Sequence, residues 1–160
     1  MPSKGALTFE TLEDALAPTR HAAVRLLGRR EYGATELYNR LCQKGYPKEA
    51  VEITMAWLKD KDLQSDERFV EVFVRSKKSR GQGPVRVRAE LQQLEIAEEL
   101  IDRYLSEDDE EWADLARQAW QKKFGNSMKN TREDRAKQQR FLYYRGFSSG
   151  QIRAVFAQTE

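Results

Sequence analysis

LCQKGYPKEAV (Leu41 to Val51), LQQLEIAEELI (Leu91 to Ile101) and LYYRGFSSGQI (Leu142 to Ile152) are three renderings of one pattern. In each, an apolar residue closes one amphipathic segment, a reversal follows, and apolar residues return in the next segment. Leu41, Tyr46 and Val51 recur as Leu91, Ile96 and Ile101 at an offset of 50, and again as Leu142, Phe147 and Ile152. Self-similarity at a period of this size marks a chain built of stacked supersecondary units.

Ahead of each pattern stands a further amphipathic segment: His21 to Arg30, Arg68 to Arg80, and Trp112 to Phe124. Ala23, Leu26, Leu27 and Arg30 keep helical spacing, as do Val51, Met55 and Leu58, and no window alternates with period two. Gly45 and Gly146 suit reversals that need positive φ, while Pro47 and Pro84 suit first turns, where a helix does not use the missing N–H. The predicted fold is therefore all-α, with three tandem three-helix repeats over residues 19–64, 65–107 and 108–160. A unit of about 45 residues has a marginal core by itself, so the repeats are expected to share apolar surface in an elongated, curved rod. Ser65 is the expected N-cap of the second repeat. Residues 1–18 carry Thr11 and Asp14 at capping-box spacing, followed by Leu16 and Pro18, which fits a short helix or an arm.

The 160 residues are 39% hydrophobic and 34% charged, a polar but foldable mixture that has no room for two large domains. Cys42 is the single cysteine and His21 the single histidine, so neither an internal disulfide nor a Cys/His zinc cluster is expected, and no metal or cofactor. No run reaches the roughly 18–20 apolar residues of a membrane span, and a soluble, cytoplasmic monomer is expected. The net charge is only +2, yet it is unevenly spread. Arg75, Lys77, Lys78, Arg80, Arg86 and Arg88 form a run without an acid, and nine basic residues between Arg117 and Arg145 face only Glu133 and Asp134. Between these runs lies the acidic segment Glu107, Asp108, Asp109, Glu110, Glu111 and Asp114.

Nothing in the chain has the layout of an active site. His21 stands on a helix without a nucleophile nearby in sequence, and Cys42 sits beside Leu41 near a helix end, where a structural thiol is the simpler reading. Glu98 and Asp102 have the spacing of any solvated helix. Ser79 to Pro84 resembles a phosphate loop but lacks its Lys and Ser/Thr; Gly81, Gly83 and Pro84 are read as shaping a helix entry. The basic residues are the better candidates. Arg75 and Lys78 share one helix face and Lys77 and Arg80 an adjacent one, so their charges could meet phosphates or an acidic partner. Arg86 and Arg88 diverge around their helix, which assigns at least one of them to a local ion pair. Arg140, Tyr143, Tyr144 and Arg145 interleave cations with aromatics, a composition suited to stacking on bases and equally to helix packing.

Taken together, these stretches resemble the RecX family, bacterial regulators of the RecA recombinase. The likeness covers nearly everything after residue 20 and rests on LLGRREYGATELYNRL (Leu26 to Leu41), DERF (Asp66 to Phe69), FVR (Phe73 to Arg75), GQGPVRVRAEL (Gly81 to Leu91), AWQKKFG (Ala119 to Gly125) and RFLYYRGF (Arg140 to Phe147). It implies three tandem three-helix repeats. It also implies a non-enzymatic regulator that binds the RecA filament on single-stranded DNA and restrains its ATP hydrolysis, strand exchange and repressor cleavage in DNA repair and recombination. Within the family-like stretches and the basic runs, Arg75, Lys77, Lys78, Arg80, Arg86, Lys122, Lys123, Arg140 and Arg145 are the expected contact residues, with Gly81, Gly83 and Pro84 shaping the loop. Leu94, Glu95 and Ile96 depart from the pattern, because relatives often have glycine at that reversal. The rival reading is a direct DNA binder using its three-helix units like helix-turn-helix modules; the acidic segment, which repels a continuous phosphate track, argues for direct DNA contact being the weaker one.

Overall fold

The computed structural model describes residues 7–106, 109–125 and 131–157, and within them the regular structure is nine α-helices. Met1 to Ala6 of the expected arm, Glu107 and Asp108 of the acidic segment, and Lys129 lie outside the described residues. The helices are α1 (Leu12–Leu27), α2 (Ala34–Gln43), α3 (Lys48–Asp60), α4 (Asp66–Ser79), α5 (Pro84–Gln93), α6 (Glu98–Tyr104), α7 (Glu110–Phe124), α8 (Arg132–Tyr144) and α9 (Ser149–Ala157). They form three successive three-helix repeats but gather into two compact units: residues to Val70 with Leu94–Ile96, and Glu71–Gln93 with the residues from Ala97 onward. The middle repeat contributes to both.

In the first unit, α1 packs on α2 and α3, and α2 packs on α3. The helical spacing of Ala23, Leu26, Leu37, Leu41, Val51 and Leu58 turns these residues onto one shared core, and all are buried. The first helix runs across the expected boundary at residue 18. Leu12 to Pro18 belong to α1, which starts where the Thr11 side chain accepts a bond from the Asp14 N–H at 3.2 Å. Pro18 is tolerated inside the helix, where it has no N–H for the Asp14 carbonyl, and Thr19 next to it bonds the Ala15 carbonyl through Oγ1 at 2.7 Å. Gly33, the N-cap of α2, has no side chain to offer, and Asp66 supplies the cap from afar by accepting from the Ala34 N–H at 2.8 Å.

In the second unit, α7 packs on α8 and α9, α8 on α9, and α5 on α6. Val87, Leu91, Ile101 and Leu105 are buried, as are Trp112, Ala116, Leu142 and Phe147. The Trp120 indole N–H, which would be costly to bury alone, donates to Gln138 Oε1 at 3.1 Å. Ser148 and Gln151 cap α9 reciprocally: Gln151 Oε1 accepts from the Ser148 N–H, and Ser148 Oγ from the Gln151 N–H.

The three reversals share one geometry. Gly45 and Gly146 take φ of 98° and 95°, and Glu95, at the equivalent point of the middle repeat, takes φ of 57°. The left-handed turn is thus kept where the glycine is absent, at a backbone cost of about 1–2 kcal/mol. Ser65 caps α4 by accepting from the Arg68 N–H, Pro47 is the N-cap of α3, and Pro84 opens α5.

Candidate functional site

The second unit assembles a positively charged cleft, and it does so around two glycines. Gly83, in the turn between α4 and α5, donates its N–H to the Arg145 carbonyl at 2.7 Å, and Val85 donates to the Gly146 carbonyl at 2.9 Å. The two backbones touch so closely that a Cβ on Gly83 would lie 2.4 Å from the Gly146 carbonyl group, and one on Gly146 would lie 2.3 Å from Arg86 Cβ. Only glycine fits at either place. This seam brings the end of α4 beside the end of α8, so that the Arg145 guanidinium donates to the Arg80 carbonyl at 3.0 Å while lying over the Phe141 ring at 5.1 Å. Gly81, with φ of 72°, turns the chain just before the seam.

A cleft of about 450 Å³ opens next to it, and its walls carry Lys78, Arg80, Lys122, Lys123 and Arg145. It is also lined by the apolar Leu115, Ala119 and Phe141, and no carboxylate among the described residues lines it. Leu115, Ala119, Lys122 and Lys123 are all on one face of α7, the spacing that aims the two lysines and the two apolar residues at the same space. Arg80, Lys122 and Lys123 are exposed and make no ion pair among the described residues. A concavity lined by one sign of charge focuses its field and draws in anions.

Five of the nine expected contact residues therefore converge, and four do not. Arg75 is largely exposed and, among the described residues, pairs with Glu71 on its own helix at 3.2 Å. Arg86 pairs in the same way with Glu90 at 3.4 Å, and Arg140 is exposed on α8. Lys77 and Lys78 already have partners within the second unit. Lys77 is half-buried, bound to Glu90 at 3.0 Å and set over the Phe73 ring. Lys78 holds Glu111 at 2.8 Å and lies over the Trp112 ring at 4.8 Å, so its charge is partly spent joining α4 to α7. Arg75 and Lys78 consequently differ in kind although they share a helix face.

Among the described residues of the acidic segment, Asp109 and Asp114 are engaged within α7 and Glu111 is held by Lys78. Asp109 caps α7 through the Glu111 N–H, Glu110 and Glu111 occupy its first turn, where the helix dipole favours negative charge, and Asp114 pairs with Arg117. Arg88 makes ion pairs with Glu98 and Asp102 at 3.1 and 2.9 Å. Tyr143 and Tyr144 are not packing residues: they are 70% and 73% exposed, unlike the buried Leu142 and Phe147 beside them. Cys42 packs half-buried against the first unit's core, and His21 is exposed at the edge of a shallow groove with Val24 and Trp57. Among the described residues no group of His, Cys, Asp and Glu could hold a metal ion, and no helix is long and apolar enough to cross a membrane.

Comparison with known proteins agrees with this layout. Residues 20–58, 65–105 and 109–156 match the family models described as the first, second and third three-helix domains of RecX. The chain is 41% identical over 141 residues to the regulatory protein RecX of Chromohalobacter salexigens, covering 88% of this chain and 92% of that protein. It is 37% identical over 144 residues to the regulatory protein RecX of Vibrio campbellii, covering 90% and 93%. In fold it is similar to the crystal structure of RecX from Lactobacillus salivarius, with a TM-score of 0.77 at 18% identity over 91% of this chain and 97% of that one. A second solved regulatory protein RecX gives the same TM-score, 0.77, at 25% identity over 91% and 73%.

Proposed function

This chain belongs to the RecX family, and from that premise we propose that it binds the filament of the RecA recombinase on single-stranded DNA and restrains its ATP hydrolysis, strand exchange and stimulation of repressor cleavage. RecX proteins are regulators and not enzymes, and none of these effects needs a catalytic group. The single observation that carries the reading to particular residues is the convergence of Lys78, Arg80, Lys122, Lys123 and Arg145 on one cleft that no carboxylate among the described residues lines. A filament of protein on DNA carries the phosphates of the strand it holds, and such a cleft is drawn to anions.

A chain of three helical repeats can engage more than one protomer of a helical polymer, and linked weak contacts gain affinity through effective concentration. A ligand that prefers one state of the filament shifts its population toward that state, which slows the subunit changes that ATP turnover requires. Arg75, Arg86 and Arg140 add exposed charge outside the cleft, whereas Lys77 serves the fold of the second unit.

The test is ATP hydrolysis by a preformed RecA filament titrated with wild-type protein and with a Lys122→Glu/Lys123→Glu variant. Both lysines are exposed, so the variant keeps its helical content while its inhibition weakens. Equal inhibition by variant and wild type would remove the cleft from the mechanism. If excess bare single-stranded DNA alone abolished wild-type inhibition, competition for DNA would replace filament binding.

A further inference from the structure

We propose that the first unit carries a docking groove between α1 and α3 for an acidic, amphipathic segment of a partner protein. The segment's apolar side chains meet Val24 and Trp57, and its carboxylates meet Arg20 and Arg25. The inference concerns the first unit alone and does not depend on the filament reading.

The groove has a volume of about 530 Å³ and is lined by Ala17, Arg20, His21, Val24 and Arg25 of α1 and by Trp57 of α3. Helical spacing sets Ala17 and Val24 two turns apart on one stripe, with Arg20 on one flank and His21 and Arg25 on the other. Val24 is exposed although apolar, and Ile53, also exposed, stands one turn before Trp57 on α3. An exposed apolar stripe rimmed by charge is the mark of an interaction site. No carboxylate among the described residues lines it, and from Arg20 to Arg30 the chain carries four arginines and no acid. Glu13 and Asp14 belong to the first turn of α1, so an acidic occupant lies from Ala17 toward Arg25 and not beyond Ala17 toward them.

Arg20 sets the charge of the occupant. Its guanidinium carbon lies 4.8 Å from the centre of the Trp57 ring, and its Nε is buried without a hydrogen-bond partner. Neither Arg20 nor Arg25 makes an ion pair among the described residues. A guanidinium held on a ring and partly stripped of water gains more from a carboxylate than one free in solution, because the local dielectric is lower and less solvation is left to lose. A nucleic-acid strand matches the groove poorly: its phosphates would lie across Ala17 and Val24, and the Trp57 ring is already engaged by Arg20. A second copy of this chain could offer the start of α1, where Leu12 stands beside Glu13 and Asp14. One helix face from each copy is small against the roughly 1,200–2,000 Å² of stable interfaces, so a separate partner is the occupant favoured.

Fluorescence anisotropy of a labelled acidic amphipathic peptide, DDLEEFLDDL, with the full chain at physiological ionic strength tests this. Wild-type protein should bind it saturably, and KKLKKFLKKL or DDSEESSDDS, which lack the acids or the apolar residues, about tenfold more weakly or not at all. Val24→Glu should weaken binding about tenfold or more. Arg25→Glu should weaken it about threefold or more and make it less sensitive to salt. Both residues are exposed, so both variants should keep the helical content of wild type. Acrylamide quenching of the intrinsic fluorescence reports mainly Trp57, since Trp112 and Trp120 are buried, and should fall when unlabelled peptide binds. Lys122→Glu/Lys123→Glu should bind the peptide like wild type while losing filament inhibition, which keeps the two readings separable. The proposal is overturned by absence of saturable binding, by quenching that does not change, or by Val24→Glu and Arg25→Glu binding like wild type. Loss of binding in the lysine pair would move the peptide to the second unit and overturn it too. Displacement by oligothymidylate as effective as by unlabelled peptide would give the groove to nucleic acid, and concentration-dependent dimerisation abolished by Val24→Glu would give it to a second copy; either result rejects the inference.

Discussion

Replacing Gly83 by alanine asks whether the seam between the two turns holds the cleft together. The added Cβ would sit 2.4 Å from the carbonyl carbon and oxygen of Gly146 and from the Phe147 nitrogen. Contact between such atoms is comfortable only near 3.5 Å, so the two backbones must separate by about 1 Å. All three are main-chain atoms, so no side-chain rotation relieves the clash. Separation stretches the bonds from Gly83 to Arg145 at 2.7 Å and from Val85 to Gly146 at 2.9 Å. A buried backbone group that loses its partner costs about 1–3 kcal/mol, which sets the expected loss at about 2–6 kcal/mol for the pair. The sign is diagnostic. Where no neighbour interferes and φ is ordinary, glycine to alanine stabilises by about 0.4–1 kcal/mol through the unfolded chain. Gly81→Ala is the internal comparison: its Cβ would meet nothing closer than 3.7 Å, so only the positive φ of 72° is felt, at about 1–2 kcal/mol. Urea unfolding followed by tryptophan fluorescence in a Trp57→Phe background reads the second unit, where Trp112 and Trp120 are buried. A Gly83→Ala midpoint at or above wild type would refute the seam.

Three further outcomes follow from the packing. Leu91→Ala removes a fully buried side chain at the repeat's key position and should cost about 2–5 kcal/mol by the same unfolding assay; an unchanged curve would mean the repeat register is misplaced. Glu95→Gly relieves the left-handed strain of an exposed residue while loosening the unfolded chain, so thermal melting should show a gain of up to about 1 kcal/mol; a clear loss would show that the Glu95 side chain has a role in the fold. Lys78→Glu sets a carboxylate against Glu111 over the Trp112 ring and should lower the melting temperature more than Lys122→Glu, which loses only the weak dipole interaction of an exposed last-turn cation; equal melting of the two would mean that the Lys78 pair contributes nothing.

The repeat was legible in the sequence because its core residues are large, apolar and regularly spaced: Leu41, Leu91 and Leu142 are all fully buried. Gly45 and Gly146 announced their reversals, and Glu95 shows that the third occurrence depends on the packing of Ile96 more than on local preference. The start of α1 was obscured by Pro18, a residue that more often ends a helix than sits within one. Long-range partners left no local mark. Lys78 finds Glu111 33 positions away, and Asp66 caps a helix 32 positions earlier. The sequence reading did not group Lys122 and Lys123 with Leu115 and Ala119, which share their face of α7, and nothing local shows that α8 and the Gly81 turn close the same space. Tyr143 and Tyr144 illustrate the remaining ambiguity, since an aromatic on a helix reads alike whether its face meets a core or solvent.

Inhibition of ATP hydrolysis by a preformed RecA filament, compared between wild-type protein and Lys122→Glu/Lys123→Glu at matched helical content, tests most directly whether the cleft is what meets the filament. Two exposed lysines without partners among the described residues can be reversed without disturbing the core, at no more than the small dipole cost of the last turn of α7. The expected result is inhibition by wild type that weakens as salt is raised, because screening shortens the reach of exposed charges to about 8 Å at physiological ionic strength, together with a displaced or absent inhibition curve for the variant. Superimposable curves for the two proteins would contradict the account.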